Sequence, residues 1–136
     1  MRRLMPIMVL FTTAMAGTPP VSAAELTPFL KVITASAGAP GRIACRDIDL
    51  SMQLKKDGLS PDAKSPVAWA ASASQLATYL AEGKLVVAGD AAMLSQGAGI
   101  AIIKEQGKPV IIINPKNVAA SGVTLSDALM KIARIR

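Results

Sequence analysis

Histidine is absent from the 136 residues, which excludes chemistry that depends on imidazole, including His-containing triads and His-bound zinc. Cys45 is the only cysteine, so neither an internal disulfide nor a Cys-rich metal site is available. Aromatics make up 3 % of the chain, namely Phe11, Phe29, Trp69 and Tyr79, and the core must therefore be built from aliphatic side chains. Charge is also sparse, at 18 % Asp, Glu, Lys and Arg against a usual quarter or so. A disordered chain would be polar and charged, whereas this one is 51 % hydrophobic, so it is expected to fold.

Some of that hydrophobicity reads as an address. Met1-Arg2-Arg3 is a short basic start, Leu4 to Gly17 is apolar and free of charge, and Thr18-Pro19-Pro20 breaks the run. Val21-Ser22-Ala23-Ala24 then supplies the small residues that a signal peptidase requires. Residues 1–23 are thus expected to be a cleaved secretory signal peptide, with cleavage after Ala23 or Ala24. A retained anchor fits less well, because roughly 20 apolar residues are needed to span a bilayer. No cysteine near the cleavage site offers a lipid attachment point. The expected product is a periplasmic protein of residues 24–136 forming one α/β domain. Losing Arg2 and Arg3 lowers the net charge from +6 to +4, with 13 basic against 9 acidic residues. The bases are scattered, with no stripe and no interleaved aromatics, which argues against nucleic acid as a partner.

Along residues 24–136 short apolar strands alternate with amphipathic helices. Thr27-Pro28 reads as the cap and first turn of a helix through Phe29, Leu30, Val32 and Ile33, stopped by Gly38, Pro40 and Gly41. Arg42 to Cys45 is a strand. Asp47 to Asp57 alternates like a strand, but its acids come first, its Lys55-Lys56 last, and Gly58 follows, an order that favours a helix. Ser60-Pro61-Asp62 reads as a turn and Ser65 to Ala70 as a second strand. Ser72 and Gln75 have capping-box spacing, and Ala73, Leu76, Ala77 and Leu80 are expected to form the buried stripe of the next helix, with Tyr79 at its rim. Lys84 to Ala88 is a continuously apolar strand of the type buried in parallel sheets. Met93-Leu94 suggests one helical turn. Ile100 to Lys104 and Val110 to Ile113 flank a hairpin turn. Asn114-Pro115 opens a brief helix to Ala120. Thr124 is expected to cap a last helix with Leu125, Ala128, Leu129, Ile132 and Ala133 inward. The fold expected is α/β, a single compact domain with a mostly parallel sheet, a C-terminal hairpin and flanking helices.

Candidate chemistry is thin. A serine nucleophile would need lysine as its base, and neither Ser60 nor the Lys64-Ser65 pair sits in a nucleophile motif. Asp47 and Asp49, two apart on a helix, diverge and read better as capping residues than as paired acids. Gly97-Ala98-Gly99 lacks the third glycine of a dinucleotide loop and precedes a strand, so it reads as a turn. The sequence therefore points away from an enzyme and to no cofactor. Cys45 reads as a buried small residue, and Trp69 chiefly as core. Arg46, Trp69 and Asp90 all follow or end strands, at the edge where open α/β sheets bind ligands, and they are the candidate residues for a partner or a small molecule.

From Lys84 onward a succession of short, mostly structural motifs follows. An apolar strand ends at Gly89-Asp90, followed by Gly97-Ala98-Gly99-Ile100, the hairpin and Ile113-Asn114. Ser121-Gly122-Val123-Thr124-Leu125-Ser126 and Leu129-Met130-Lys131-Ile132-Ala133-Arg134 close the chain. This resembles the YfiR-like family of periplasmic proteins over the last 50 or so residues, and more loosely over Arg42 to Gly83. The chain departs from the family pattern in its reduced opening helix, in its single cysteine, and in Ile111-Ile112 where an aromatic is common. The resemblance implies an exported regulator. The best-known member type binds the periplasmic part of an inner-membrane diguanylate cyclase and restrains it, which would place this chain in cyclic-di-GMP signalling. Small-ligand binding at the carboxyl edge of the sheet is the alternative.

Overall fold

The structure is a computed structural model that describes residues 21–136, so most of the expected signal peptide lies outside the described residues. No helix among the described residues is long and apolar enough to cross a membrane. Among the described residues seven strands form one sheet in the order β2-β1-β3-β4-β5-β6-β7. They are β1 (Arg42–Cys45), β2 (Ser60–Pro61), β3 (Val67–Ala70), β4 (Leu85–Ala88), β5 (Ile100–Glu105), β6 (Lys108–Ile113) and β7 (Arg134–Ile135). Only the β5–β6 pair is antiparallel. The mostly parallel α/β architecture with its C-terminal hairpin is the one expected. The hairpin closes through Gln106 at φ 50° and Gly107 at φ 79°, two left-handed residues whose twist suits a two-residue turn.

Because side chains alternate across each strand, the sheet has two different faces. One carries large aliphatics and a tryptophan, including Ile43, Val67, Trp69, Leu85, Val87, Ile100, Ile102, Ile111 and Ile113. Against it lie α1 (Ala23–Ser36) through Leu26, Leu30 and Ile33, α2 (Ile48–Lys56) through Leu54, and α5 (Asp127–Ile132) through Leu129. The other face is lined by Ala44, Ala68, Ala70, Ala88 and Ala101, which leaves room for Tyr79 and Leu76 of α3 (Ala73–Ala81) and for Leu94 of a 3-10 turn at Ala91–Gln96. Small strand residues thus admit the one tyrosine.

Several local expectations are met at the level of single caps. Asp47 accepts from the Leu50 amide, Ser72 from Gln75 and Asn114 from Asn117, opening α2, α3 and α4 (Pro115–Ala120). Others require correction. α1 begins before Thr27-Pro28, because Ser22 and Glu25 form a reciprocal capping box that starts the helix at Ala23 and leaves Pro28 inside it. Ser60-Pro61 is not a turn but a two-residue strand paired with Arg42-Ile43, held by the Ser60 amide on the Gly41 carbonyl at 2.6 Å.

In α3 the inward residues are Leu76 and Tyr79, each 2 % exposed, while Ala73 and Ala77 face solvent and Leu80 is 38 % exposed. Leu80 instead covers the turn at Gly97, where a Cβ would fall 2.5 Å from its Cδ1 and where φ is +119°. The last helix is capped by Ser126, not Thr124, and it stops at Ile132. The chain then extends so that Arg134-Ile135 pairs with Ile112-Ile113 and covers the edge of β6. Ile132 is consequently 67 % exposed, and Ala128 faces out as well. Of the expected stripe only Leu125 and Leu129 are buried.

Candidate functional site

Chain direction locates the place where a ligand would enter. From β1 the connection through α2 moves outward to β2 over the aliphatic face. From β3 the connection through α3 moves the opposite way to β4 over the alanine face. Reversing both direction and face keeps a single hand for the crossovers, and it puts the switch point of the sheet between β1 and β3. At such a point the two following loops diverge and leave a crevice beyond the carboxyl ends of the strands. Here those ends are Cys45-Arg46-Asp47 and Ala70-Ala71-Ser72, with Gly89-Asp90 of β4 beside them.

A hollow of about 400 Å³ lies at this position on the aliphatic side, walled by Asp47, Leu50, Trp69, Gly89, Asp90 and Met93. Val21, Ala23 and Leu26, at the start of α1, close its remaining side. Trp69 is 7 % exposed, and its ring runs beneath the β4 exit, where a Cβ on Gly89 would lie 3.2 Å from Cη2. Asp90 is exposed and spends one carboxylate oxygen on the Ala92 amide at 2.9 Å, which caps the 3-10 turn. Asp47 likewise accepts from Leu50 at 3.1 Å. The walls thus combine a buried indole, aliphatics and two carboxylates already engaged with backbone.

Arg46 is not in this hollow. Its side chain leaves β1 on the alanine face, lies with its guanidinium carbon 5.7 Å from the centre of the Tyr79 ring, and meets Glu82 at 3.5 Å. There it lines a second cleft with Ala44, Pro61, Tyr79, Glu82 and Lys84. The three candidate residues therefore share one edge of the sheet, with Trp69 and Asp90 on one side of β1 and Arg46 on the other. Cys45 is half-buried between them. Burial pushes its thiol pKa up, against contacts from Ser51 and Asp47, so the thiolate is disfavoured. Glu82 carries no sequence signal as a site residue, and Tyr79, a contact candidate expected at the rim of its helix, is buried in the cleft wall instead. The tyrosine carried a signal, since it stands three residues after Leu76 and so on the same helical face.

Comparison with known proteins bears on the family and the fold. A family model described as YfiR/HmsC-like matches residues 65–134, from the residue that leads into β3 to the first residue of β7. No curated protein matches. A conserved domain protein from Vibrio cholerae is similar in structure, with a TM-score of 0.63 at 12 % identity over 85 % of this chain and 60 % of that one. An ABC domain in complex with L-Trp from Streptococcus pneumoniae has a TM-score of 0.58 at 14 % identity, over 81 % of this chain and 59 % of that one. At these identities the likeness is one of α/β fold, and the chain spans about three fifths of each of those structures. The family model covers just over half of the sequence, β3 to β7 with the hairpin and both closing helices. The chain belongs to the YfiR/HmsC-like family.

Proposed function

We propose that this chain is an exported regulator that acts by contact, without catalysis, and that its partner is the periplasmic part of an inner-membrane diguanylate cyclase. The observation that carries the reading is the family match over residues 65–134, the segment that builds the sheet from β3 onward. The carboxyl edge supports it as the contact surface, because Arg46 and Asp90 are exposed there on rigid strand ends. Crosslinking of a tagged, exported copy in cells tests the proposal. Capture of a membrane protein with a cytoplasmic cyclase domain is expected, and capture of soluble proteins alone would contradict it.

A second reading, small-ligand binding, is favoured by the hollow beside Trp69, whose size falls in the usual range for ligand pockets. Signal-peptide cleavage after Ala23 would remove Val21 and Ala23 from its wall and open it further. Trp69 is the only tryptophan, so its fluorescence reports occupancy without interference. A saturable emission change on titration with periplasmic metabolites supports this reading, and an unchanged spectrum rejects it.

A further inference from the structure

The second cleft, on the alanine face, holds the one buried polar side-chain atom among the described residues that has no hydrogen-bond partner, the Tyr79 hydroxyl. Tyr79 itself is 2 % exposed. A buried hydroxyl left without a full hydrogen bond is costly, and the polar groups set against this one are the backbone and side chain of Arg46. The cleft is about 440 Å³, large enough for a small organic molecule. It lies beyond the edge of α3, which packs chiefly on β3 and β4 and extends Tyr79 toward Ala44 of β1.

The charges in the cleft are unevenly committed. Asp62 is occupied by the Lys64 amide at 2.9 Å and by Arg42 at 3.4 Å. Lys84, 9 % exposed, closes one end and donates to the carbonyls of Ala63 at 2.8 Å and Ser65 at 2.6 Å. Among the described residues no carboxylate lies within 4 Å of its ammonium. Arg46 lies over the Tyr79 ring, and its one acidic partner among the described residues is Glu82, at 3.5 Å with both side chains about half exposed. An exposed pair of that kind is weak and easily exchanged for water or another anion. The buried groups are therefore donors, and the replaceable acceptor is at the rim.

We infer that this cleft binds a small carboxylate-bearing ligand, whose carboxylate takes the place of Glu82 on Arg46 and, once Arg46 swings off the ring that it covers, accepts from the Tyr79 hydroxyl. The planar fork of arginine matches a carboxylate in two parallel hydrogen bonds. The ligand body rests on Ala44, Pro61 and Ala63. This inference goes beyond the regulatory reading and does not depend on it. Tyr79 is buried, so Tyr79→Phe leaves the exposed edge proposed for the partner untouched, and partner capture and ligand binding can fail separately.

Calorimetric titration of the mature protein with benzoate, and with inorganic phosphate as a control, tests it. Saturable benzoate binding is expected, weakened about 10-fold or more by Arg46→Gln and likewise by Tyr79→Phe, as befits hydrogen bonds to a charged group. Glu82→Gln removes the competing carboxylate and should tighten binding roughly 2- to 5-fold. Tyr79→Phe keeps the ring and should stay folded. Were it to unfold, the exposed Arg46 and Glu82 variants decide the matter alone. Absence of saturable benzoate binding, equal affinity in Arg46→Gln, or no gain in Glu82→Gln overturns the inference. Phosphate binding as tightly as benzoate would overturn the carboxylate assignment.

Discussion

Replacing Trp69 by alanine probes the core and the hollow together. The indole is 7 % exposed and lies on the central strand β3 between β1 and β4, packed among Val67, Val87 and Leu26 and under Gly89. Truncating a buried tryptophan to its Cβ loses the transfer energy of the ring and leaves a cavity, about 3–5 kcal/mol in total. A domain of this size has roughly 5–15 kcal/mol to lose, so Trp69→Ala should be severely destabilised and could unfold outright. Trp69→Phe refills most of the volume and should cost roughly 1–2 kcal/mol. Urea unfolding of the protein, followed by circular dichroism, measures both. In the wild type the single indole should emit as a buried chromophore and resist acrylamide until the unfolding transition. A loss below about 1 kcal/mol for Trp69→Ala, with an indole open to quencher in the native state, would refute the burial argument.

Four further outcomes follow from particular contacts. Leu129→Ala should cost about 2–5 kcal/mol by urea unfolding, and Ile132→Ala, at an exposed position, about 0.5 kcal/mol or less. Leu76→Ala should likewise exceed Leu80→Ala clearly in the same assay, since Leu76 is 2 % and Leu80 38 % exposed. Arg134 donates two hydrogen bonds of 2.7 Å to Glu105 and holds that carboxyl below its ordinary 4.5. The pair's contribution is thus present above that ordinary value and fades as pH falls through the lowered one, so carbon NMR should find Glu105 titrating low and Arg134→Gln should restore it. Mass spectrometry of the periplasmic fraction should find a mature start at Ala24 or Glu25. That start would discard the Ser22 cap, but it would also make Pro28 the fourth or fifth residue, at or next to the first four helical positions, whose amides lack helical partners.

The parts of the fold governed by short-range chemistry were readable in advance. β1 from Arg42 to Cys45, α2 between Asp47 and Asp57, and α4 after Asn114 each carry a strong apolar run or a cap whose hydrogen bond forms within three residues. Residues whose placement depends on distant partners were not. Ser60-Pro61 and Arg134-Ile135 are strands only because β1 and β6 offer free edges, which no window of a few residues contains. Tyr79 and Leu80 are adjacent on α3, and propensity does not choose between them. The alanines of β1 and β3 do, by leaving space for a ring. The same limit applies to the site. Arg46, Trp69 and Asp90 were found at strand ends as a common edge, yet the alternation of side chains across β1 sends Arg46 to the opposite face from Trp69. The orphan hydroxyl of Tyr79 has no sequence signature, because it arises from what fails to lie opposite it.

Contact regulation through the carboxyl edge is tested most directly by photocrosslinking in cells with the reactive residue at Asp90 or, as a control, at Lys64. Both positions are exposed, but Asp90 follows the carboxyl end of β4 and Lys64 precedes the amino end of β3. Capture of an inner-membrane diguanylate cyclase from Asp90 and little or none from Lys64 is expected, in the wild type but not in Arg46→Ala. Equal capture from both positions, or no membrane cyclase from either, would contradict it.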